Sequence, residues 1–192
     1  QGRGWKPIPG VRALLQRGNT VMCCYVDDLC ISGPPAEVAQ VWDELGSEFQ
    51  IGAQSSDSVE FLGIRVDRSV EGDTRIARFS QGEYASEIVR TYAELWPERR
   101  QWTGRSDTPL LDELRTDDQG EPSKNRVLKI IGMCLWLSRC TRPDLAHACS
   151  RLGSRVSRWN EACEKELQRL VNFIQSTAED RLEYRHIAGE KL

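Results

Sequence analysis

The chain has 192 residues, of which 39% are hydrophobic and 29% are charged, and its formal net charge is −3. This length suits one domain or two small lobes that share a core. No apolar run approaches the roughly 20 residues of a membrane helix, and no signal-peptide pattern opens the chain, so the composition excludes a membrane-spanning class.

Cysteine usage indicates the redox compartment. The chain has seven cysteines, an odd number with no tight spacing framework, which is typical of reduced thiols inside a cell. No Cys-x-x-Cys pair is present to anchor zinc, so we expect no zinc site. Because the chain begins Gln1-Gly2-Arg3 rather than with Met, we interpret it as a piece of a longer protein.

Two short apolar runs enclose a pair of acids. Val21–Cys24 and Leu29–Ile31 read as strands, and Asp27-Asp28 fall at the reversal between them, which predicts a β-hairpin over about 20–33. Neighbouring carboxylates at a tight reversal can converge, and two like charges so close require a hard divalent cation. The alternative is that Asp-Asp is turn chemistry alone, since both residues satisfy backbone donors in reversals.

A helix and a strand pair are predicted next. Gly33-Pro34-Pro35 starts a helix, because proline is tolerated in the first turn. Residues 59–67 predict one strand, in which Gly63 marks a bulge or a close backbone approach. The turn 71–73 leads to a second strand over 74–79.

The second half of the chain reads as mainly helical. Ser80-x-x-Glu83 predicts a capping box in front of a helix, and 98–123 is a charged linker. Apolar periodicity predicts helices over about 124–139, 141–158 and 161–177, the second capped by Thr141, and a strand over 182–187 closes the chain.

Positive charge is concentrated in residues 124–158, which hold eight Lys or Arg against the single acid Asp144. That segment carries +7 and the rest of the chain −10. In the helix predicted over 141–158, an apolar stripe lies opposite a purely basic face. Phosphate-backbone contact and a plain solubility surface both remain open for this face. The basic residues are His147, Arg151, Arg155 and Arg158.

The ordered set of motifs resembles the reverse transcriptase of copia-type LTR retrotransposons. The residues that carry the resemblance are Tyr25-Val26-Asp27-Asp28, Phe61-Leu62-Gly63-Ile64, Gly132 with Leu135-Trp136-Leu137, and Thr141-Arg142-Pro143-Asp144-Leu145-Ala146-His147-Ala148. The similarity runs from about residue 20 to 187.

This resemblance implies an α+β fold, namely an incomplete polymerase palm (a β-hairpin, a helix and a two-stranded antiparallel unit) followed by an α-helical thumb or connection lobe. Residues 1–20 are then an irregular N-terminal remnant and 21–80 the end of the palm. The thumb and connection take up 81–178, with the charged linker 98–123, and 179–192 form a strand and tail that lead toward an RNase H domain.

The resemblance also implies site roles. Asp27 and Asp28 correspond to catalytic carboxylates that hold two Mg²⁺ ions, with Mn²⁺ as an alternative. Further residues correspond to contacts with the primer and the nascent pair, namely Tyr25, Val26, Phe61, Leu62 and Gly63. Others would follow the nucleic-acid backbone, namely Arg142, His147, Arg151, Arg155 and Arg158.

The implied activity is RNA-directed DNA polymerisation, in which a primer 3′-hydroxyl attacks the α-phosphate of a deoxynucleoside triphosphate. The implied partners are an RNA or DNA template with its annealed primer, dNTPs, and the upstream fingers and downstream RNase H of the same polyprotein. The implied location is cytoplasmic, in a virus-like particle, with a nuclear phase. No membrane partner is expected.

The family's palm also needs a third aspartate from an earlier strand, and no acid precedes Val21. We therefore expect this chain alone to be unable to polymerise. The first alternative is a non-catalytic nucleic-acid-binding remnant of a decayed or domesticated retroelement. The second is a structural interaction domain with a coincidental turn motif.

Overall fold

The computed structural model describes residues 3–11, 13–52, 58–99, 106–110 and 120–187. Within that part the chain is α+β, with five α-helices and two antiparallel four-stranded sheets, which confirms the predicted fold class at that level. The chain divides into two compact units, Gln1–Leu62 and Gly63–Leu192. None of the described helices combines the length and the apolar character that crossing a bilayer requires.

The first unit is built on a meander of four strands. Their order in the sheet is their order in the chain, and they are β1 (Lys6–Pro7), β2 (Leu14–Arg17), β3 (Thr20–Tyr25) and β4 (Asp28–Ser32). The predicted hairpin over about 20–33 is therefore confirmed as β3 and β4. Two further strands occupy a stretch that we expected to be irregular.

Helix α1 (Pro35–Gly46) covers one face of this sheet, and Pro35 lies in its first turn as predicted. Thr20 and Met22 are buried on that face, and the Thr20 hydroxyl donates a hydrogen bond to Glu37 at 2.7 Å. A Cβ at Gly33 would lie 2.6 Å from Thr20 Oγ1, so the close approach of β3 to the start of α1 requires glycine there.

The second sheet has the order β5 (Ser58–Phe61), β6 (Ile64–Glu71), β7 (Thr74–Ser80) and β8 (Leu182–Ile187). The prediction of one strand over 59–67 is wrong, because the chain reverses at Leu62-Gly63. Both residues have positive φ, 53° and 70°, which is the requirement of a type I′ reversal. The C-terminal strand is confirmed as β8, antiparallel to β7.

Four helices pack into the core of the second unit, α2 (Gly82–Leu95), α3 (Asn125–Cys140), α4 (Ala146–Gly153) and α5 (Glu161–Ser176). Their apolar stripes are buried, as the periodicity of α3 and α5 predicts. Asn160 caps α5 by accepting a hydrogen bond from the Cys163 amide at 3.1 Å. Part of the predicted linker lies against α5, where the Ser106 amide donates to Ser176 at 3.0 Å.

The helix predicted over 141–158 is shorter than expected. A 3₁₀ turn spans Pro143–Leu145, α4 ends at Gly153, and residues 154–158 form turns and a bend. The predicted cap is also wrong, because the Thr141 hydroxyl donates to Gln81 at 3.0 Å and does not bond the helix start. Ser80 likewise does not cap α2, whose N-terminal flanking residue is Gln81. At Thr141, a tertiary partner therefore competes successfully with local capping.

Candidate active-site hairpin and basic helical surface

The reversal between β3 and β4 presents the predicted carboxylates. Tyr25 pairs with Asp28 as the last rung of the ladder, so Val26 and Asp27 form the two-residue loop. All four side chains are exposed, with Val26 81% accessible. The fold therefore places Asp27 at the apex and Asp28 at the first position of β4, with both carboxylates open to solvent.

Val26 holds an unfavourable backbone conformation. Its φ of 51° lies in the left-handed region, where a β-branched side chain clashes with its own backbone. A residue in this state costs about 1–3 kcal/mol, and such residues concentrate at functional sites. The strain is local to the loop that carries Asp27, and the high exposure of Val26 means that burial of its side chain does not compensate for it.

Asp27 and Asp28 supply hard oxygen ligands of the kind that Mg²⁺ prefers. Among the described residues, no cluster of three or more His, Cys, Asp or Glu side chains is arranged to hold a metal ion. Mg²⁺ in phosphoryl-transfer enzymes is usually held by one or two carboxylates and takes its remaining oxygens from water and substrate phosphates, so two carboxylates are sufficient in number for such a site.

The second motif loop, Leu62-Gly63, exposes backbone rather than charge. Phe61 and Leu62 are half-buried and Gly63 is exposed. Apart from Gly63 itself and its two chain neighbours, no atom lies within 4 Å of the position that a Cβ at Gly63 would occupy. The peptide groups of this reversal are thus accessible to a close partner, which is the property that the predicted primer-contact role requires.

The structure does not keep the five predicted backbone-contacting residues on one open surface. His147 and Arg158 are exposed, Arg151 and Arg155 are half-buried, and Arg142 is 3% accessible. Because α4 ends at Gly153, Arg155 and Arg158 lie in the following turns and not on a helical face. The expectation of a continuous basic helix from 141 to 158 is therefore wrong.

Arg142 has a structural role in this fold. Its guanidinium donates to both Asp144 carboxylate oxygens at 3.0 and 2.7 Å, and to the Thr177 carbonyl and hydroxyl at 2.7 and 2.8 Å. It also lies 5.6 Å from the ring centroid of Phe173. These contacts join the turn before α4 to the C-terminal end of α5, so we do not retain Arg142 as a phosphate contact.

Arg151 is directed to a buried carboxylate. Its Nε lies 3.1 Å from Glu166 Oε1, and Glu166 is fully inaccessible to solvent. The short distance defines an ion pair, although the angle does not meet hydrogen-bond geometry and neither Glu166 oxygen has a hydrogen-bond partner. Burial raises the pKa of Glu166, and the opposing attraction of Arg151, Arg155 and His147 only partly offsets it.

A different basic surface lies on α3, and we did not predict it from the sequence. Leu128 and Trp136 are 47% and 45% exposed, and they follow the spacing i, i+8 with the open Gly132 between them. Lys129 and Arg139 flank this stripe and are exposed. We call this set the α3 surface. Two signals in the sequence could have found it, namely the absence of any acid from Asn125 to Cys140 and the second apolar stripe outside the core positions.

Known proteins were compared with this chain in three ways, and neither the family models nor the curated proteins nor the solved structures gave a match.

Proposed function

We propose that this chain contributes the end of the palm and the thumb of a copia-type reverse transcriptase, and that it takes part in RNA-directed DNA polymerisation within a longer polypeptide. One observation carries the proposal. The Tyr25–Asp28 hairpin presents two adjacent exposed carboxylates on a reversal whose first residue, Val26, is held in a strained conformation. Backbone strain of this kind concentrates at functional sites, and the second motif loop holds another non-glycine residue with positive φ, Leu62 at 53°.

In this proposal Asp27 and Asp28 bind Mg²⁺ at the hairpin apex. Bound Mg²⁺ would promote attack of the primer 3′-hydroxyl on the α-phosphate and would stabilise the departing pyrophosphate. The exposed side chains of Tyr25 and Val26 contact the primer end and the nascent base pair. The open peptide groups at Leu62-Gly63 support the primer backbone, where the lack of a Cβ at Gly63 permits close approach.

The α3 surface replaces the predicted α4 face as the site of duplex binding. It has cations without neighbouring acids on the same helix, an exposed aromatic side chain, and a glycine that lets nucleic acid approach the helix backbone. Cations bind phosphates irrespective of sequence, and the aromatic and apolar side chains contact sugars or base edges. His147 and Arg158 remain exposed basic candidates outside α3.

Binding to the α3 surface can be tested with charge reversal. We expect Lys129→Glu combined with Arg139→Glu to weaken primer–template binding by roughly tenfold or more and to reduce the salt dependence of the affinity by about two phosphate contacts. Arg90→Glu on α2 is the matched control, because Arg90 is also an exposed helical cation. Equal affinities for the double variant and the control would remove the α3 surface from the proposal.

The activity itself is tested by primer extension. The assay uses a longer polypeptide that includes the sequence encoded upstream of Gln1, with an annealed RNA template, dNTPs and Mg²⁺. Extension supports the polymerase, and failure of the present chain alone to extend agrees with its two-carboxylate hairpin. Extension by the present chain alone would refute our expectation that it is incomplete.

The alternative function is nucleic-acid binding without catalysis, as in a decayed or domesticated element. The observation in its favour is that, within the described ranges, the two hairpin carboxylates are joined by no third acidic or imidazole ligand. Salt-sensitive binding by the longer polypeptide with no extension under any divalent ion would select this alternative.

A further inference from the structure

Two cysteines lie opposite each other in the ladder below the hairpin apex. Cys23 on β3 is the register partner of Cys30 on β4, and both are half-buried thiols. Directly opposed residues in antiparallel strands have Cα atoms about 4.5 or 5.5 Å apart, depending on the type of pair. A disulfide accepts Cα separations of about 4.4–6.8 Å, so either type of pair permits a bond.

The two thiols share a face of the sheet with the hairpin's last rung. Successive side chains on a strand alternate between faces, so Cys23 lies on the side of Tyr25, and Cys30 on the side of Asp28. The opposite face carries Thr20 and Met22, which are buried on the side of α1. The dithiol is two residues from the Tyr25–Asp28 rung, a distance of about 7 Å along the strand.

We propose that Cys23 and Cys30 form an oxidative modification site, a cross-strand dithiol that a peroxide-class oxidant converts to a disulfide. One sulfur attacks a peroxide oxygen and becomes a sulfenic acid, while the O–O bond breaks and the first water is released. The second sulfur then attacks the sulfenic sulfur, the S–S bond forms, and the second water leaves. Both thiol protons end in water, the two sulfurs are oxidised, and the peroxide is reduced.

Closing this bond shortens the contact between the strands. Opposed Cβ atoms in a ladder lie about 4.5–5.5 Å apart, whereas a disulfide holds them at about 3.5–4.5 Å. The bond is therefore strained, and strained disulfides are the ones that cellular thiols reduce readily. Drawing β3 and β4 together changes the separation of Tyr25 and Asp28, and this consequence for catalysis rests on the proposed function.

Peptide mapping tests the dithiol without any assay of activity. The full chain is treated with hydrogen peroxide, alkylated, and cleaved before Asp27, which separates Cys23 and Cys24 from Cys30. We expect a linked peptide pair in the wild type and in Cys24→Ser. We expect its yield to fall by about tenfold or more in Cys23→Ser and in Cys30→Ser, because Cys24 projects from the other face and cannot reach Cys30.

Cys24 is the matched control because it is adjacent to Cys23 and more exposed. Equal yields of linked peptide from Cys23→Ser and Cys24→Ser would overturn the proposal. So would the absence of linkage in the wild type under conditions that oxidise Cys24. The wild-type mapping alone decides this second point, so it does not depend on the folding of any variant.

A second measurement tests the consequence for the hairpin. In the longer polypeptide, we expect peroxide to lower primer extension several-fold, dithiothreitol to restore it, and Cys30→Ser to be insensitive to the oxidant. A linked peptide with unchanged extension would overturn the link to Tyr25 and Asp28. A polypeptide that is inactive before oxidation would count against the proposed function alone, since the mapping experiment still decides the dithiol.

Discussion

Three two-residue hairpin loops in the described part of the chain have a positive φ at the first loop residue only, and they differ in which residue occupies that position. Gly18-Asn19, Val26-Asp27 and Gly72-Asp73 are each two-residue loops between paired strands. In each loop the first residue has a positive φ, 59° at Gly18, 51° at Val26 and 58° at Gly72. Glycine adopts this conformation without steric cost, and valine does not.

The β3–β4 reversal differs from the two glycine loops in the backbone strain of its first loop residue. Gly72-Asp73 shows that the fold can make an equivalent reversal, with an aspartate at the same second position, at no strain. Val26-Asp27 therefore has a cost that the geometry of a hairpin does not require. We attribute that cost to the role that we propose for the apex.

The largest effect is expected from removing the charge of the apex carboxylate. Asp27→Asn should lower primer extension by the longer polypeptide at least about 100-fold, because a neutral amide cannot balance the charge of bound Mg²⁺. The free energy of unfolding should change by less than about 0.5 kcal/mol, since Asp27 is exposed.

The control for this variant is Asp73→Asn, which changes an exposed aspartate at the equivalent position of the other loop. It should leave extension unchanged. Comparable losses in the two variants would show that the charge of Asp27 has no special role.

A valine at the first position of the Gly72-Asp73 loop should reproduce the conformational free-energy cost that we assign to Val26. Gly72→Val should lower the free energy of unfolding by about 1–3 kcal/mol, because valine at a φ of 58° meets the same clash as Val26. Urea unfolding followed by circular dichroism measures the change. A loss below about 0.5 kcal/mol would mean that this loop relaxes around a side chain, and the strain assigned to Val26 would then be overstated.

Relieving the backbone strain at the apex should change the free energy of unfolding in the opposite direction. Val26→Gly should raise the free energy of unfolding of the first unit by about 1 kcal/mol, while primer extension should fall because glycine leaves the apex less restrained. A variant that is more stable and equally active would separate the strain from the function.

The smallest effect concerns a buried carboxyl in contrast to the exposed ones. Burial raises the pKa of Glu166 in the folded state above its ordinary value of 4.5. At a pH between the ordinary pKa and the folded-state pKa, the folded state therefore binds more protons than the unfolded state. The contribution of Glu166 to stability is therefore greatest at low pH and is lost as pH rises through its folded-state pKa.

Glu166→Gln removes this titration. Relative to the wild type, the variant should gain stability as the pH rises above about 4.5, measured by urea unfolding at a series of pH values. Exposed Glu161→Gln on the same helix is the control and should show no such trend. A difference between wild type and Glu166→Gln that stays constant with pH would contradict the direction of the shift.

Sequence patterns predicted the elements whose signals are local. Alternation and turn residues located β3, β4 and β7, and apolar periodicity located α3 and α5, because strand and helix periods are properties of neighbouring residues. The Leu62-Gly63 reversal escaped because leucine seldom adopts a positive φ, so one strand with a bulge was the more ordinary interpretation.

The candidate site also has one part that the sequence predicted and one part that depends on tertiary contacts. The position of Asp27 and Asp28 at a hairpin apex followed from their sequence alone, since the flanking strands fix where the chain turns. The burial and pairing of Arg142 and Arg151 could not be predicted in this way, because they contact Thr177 and Glu166, which are distant in the sequence. The sequence of an arginine-rich segment does not show whether each arginine side chain lies in water or against a buried acid.

By itself, the sequence determined the chemistry available to this protein: paired carboxylates at a reversal, a cationic segment, and helices with defined apolar stripes. The tertiary structure alone decided which charges remain open. It paired Arg142 and Arg151 with groups of α5 and its C-terminal flank, and it left Lys129, Arg139 and Trp136 exposed on α3. The physical reason is that burial removes water from a charge, so each buried charge must find a partner wherever the packing of helices supplies one.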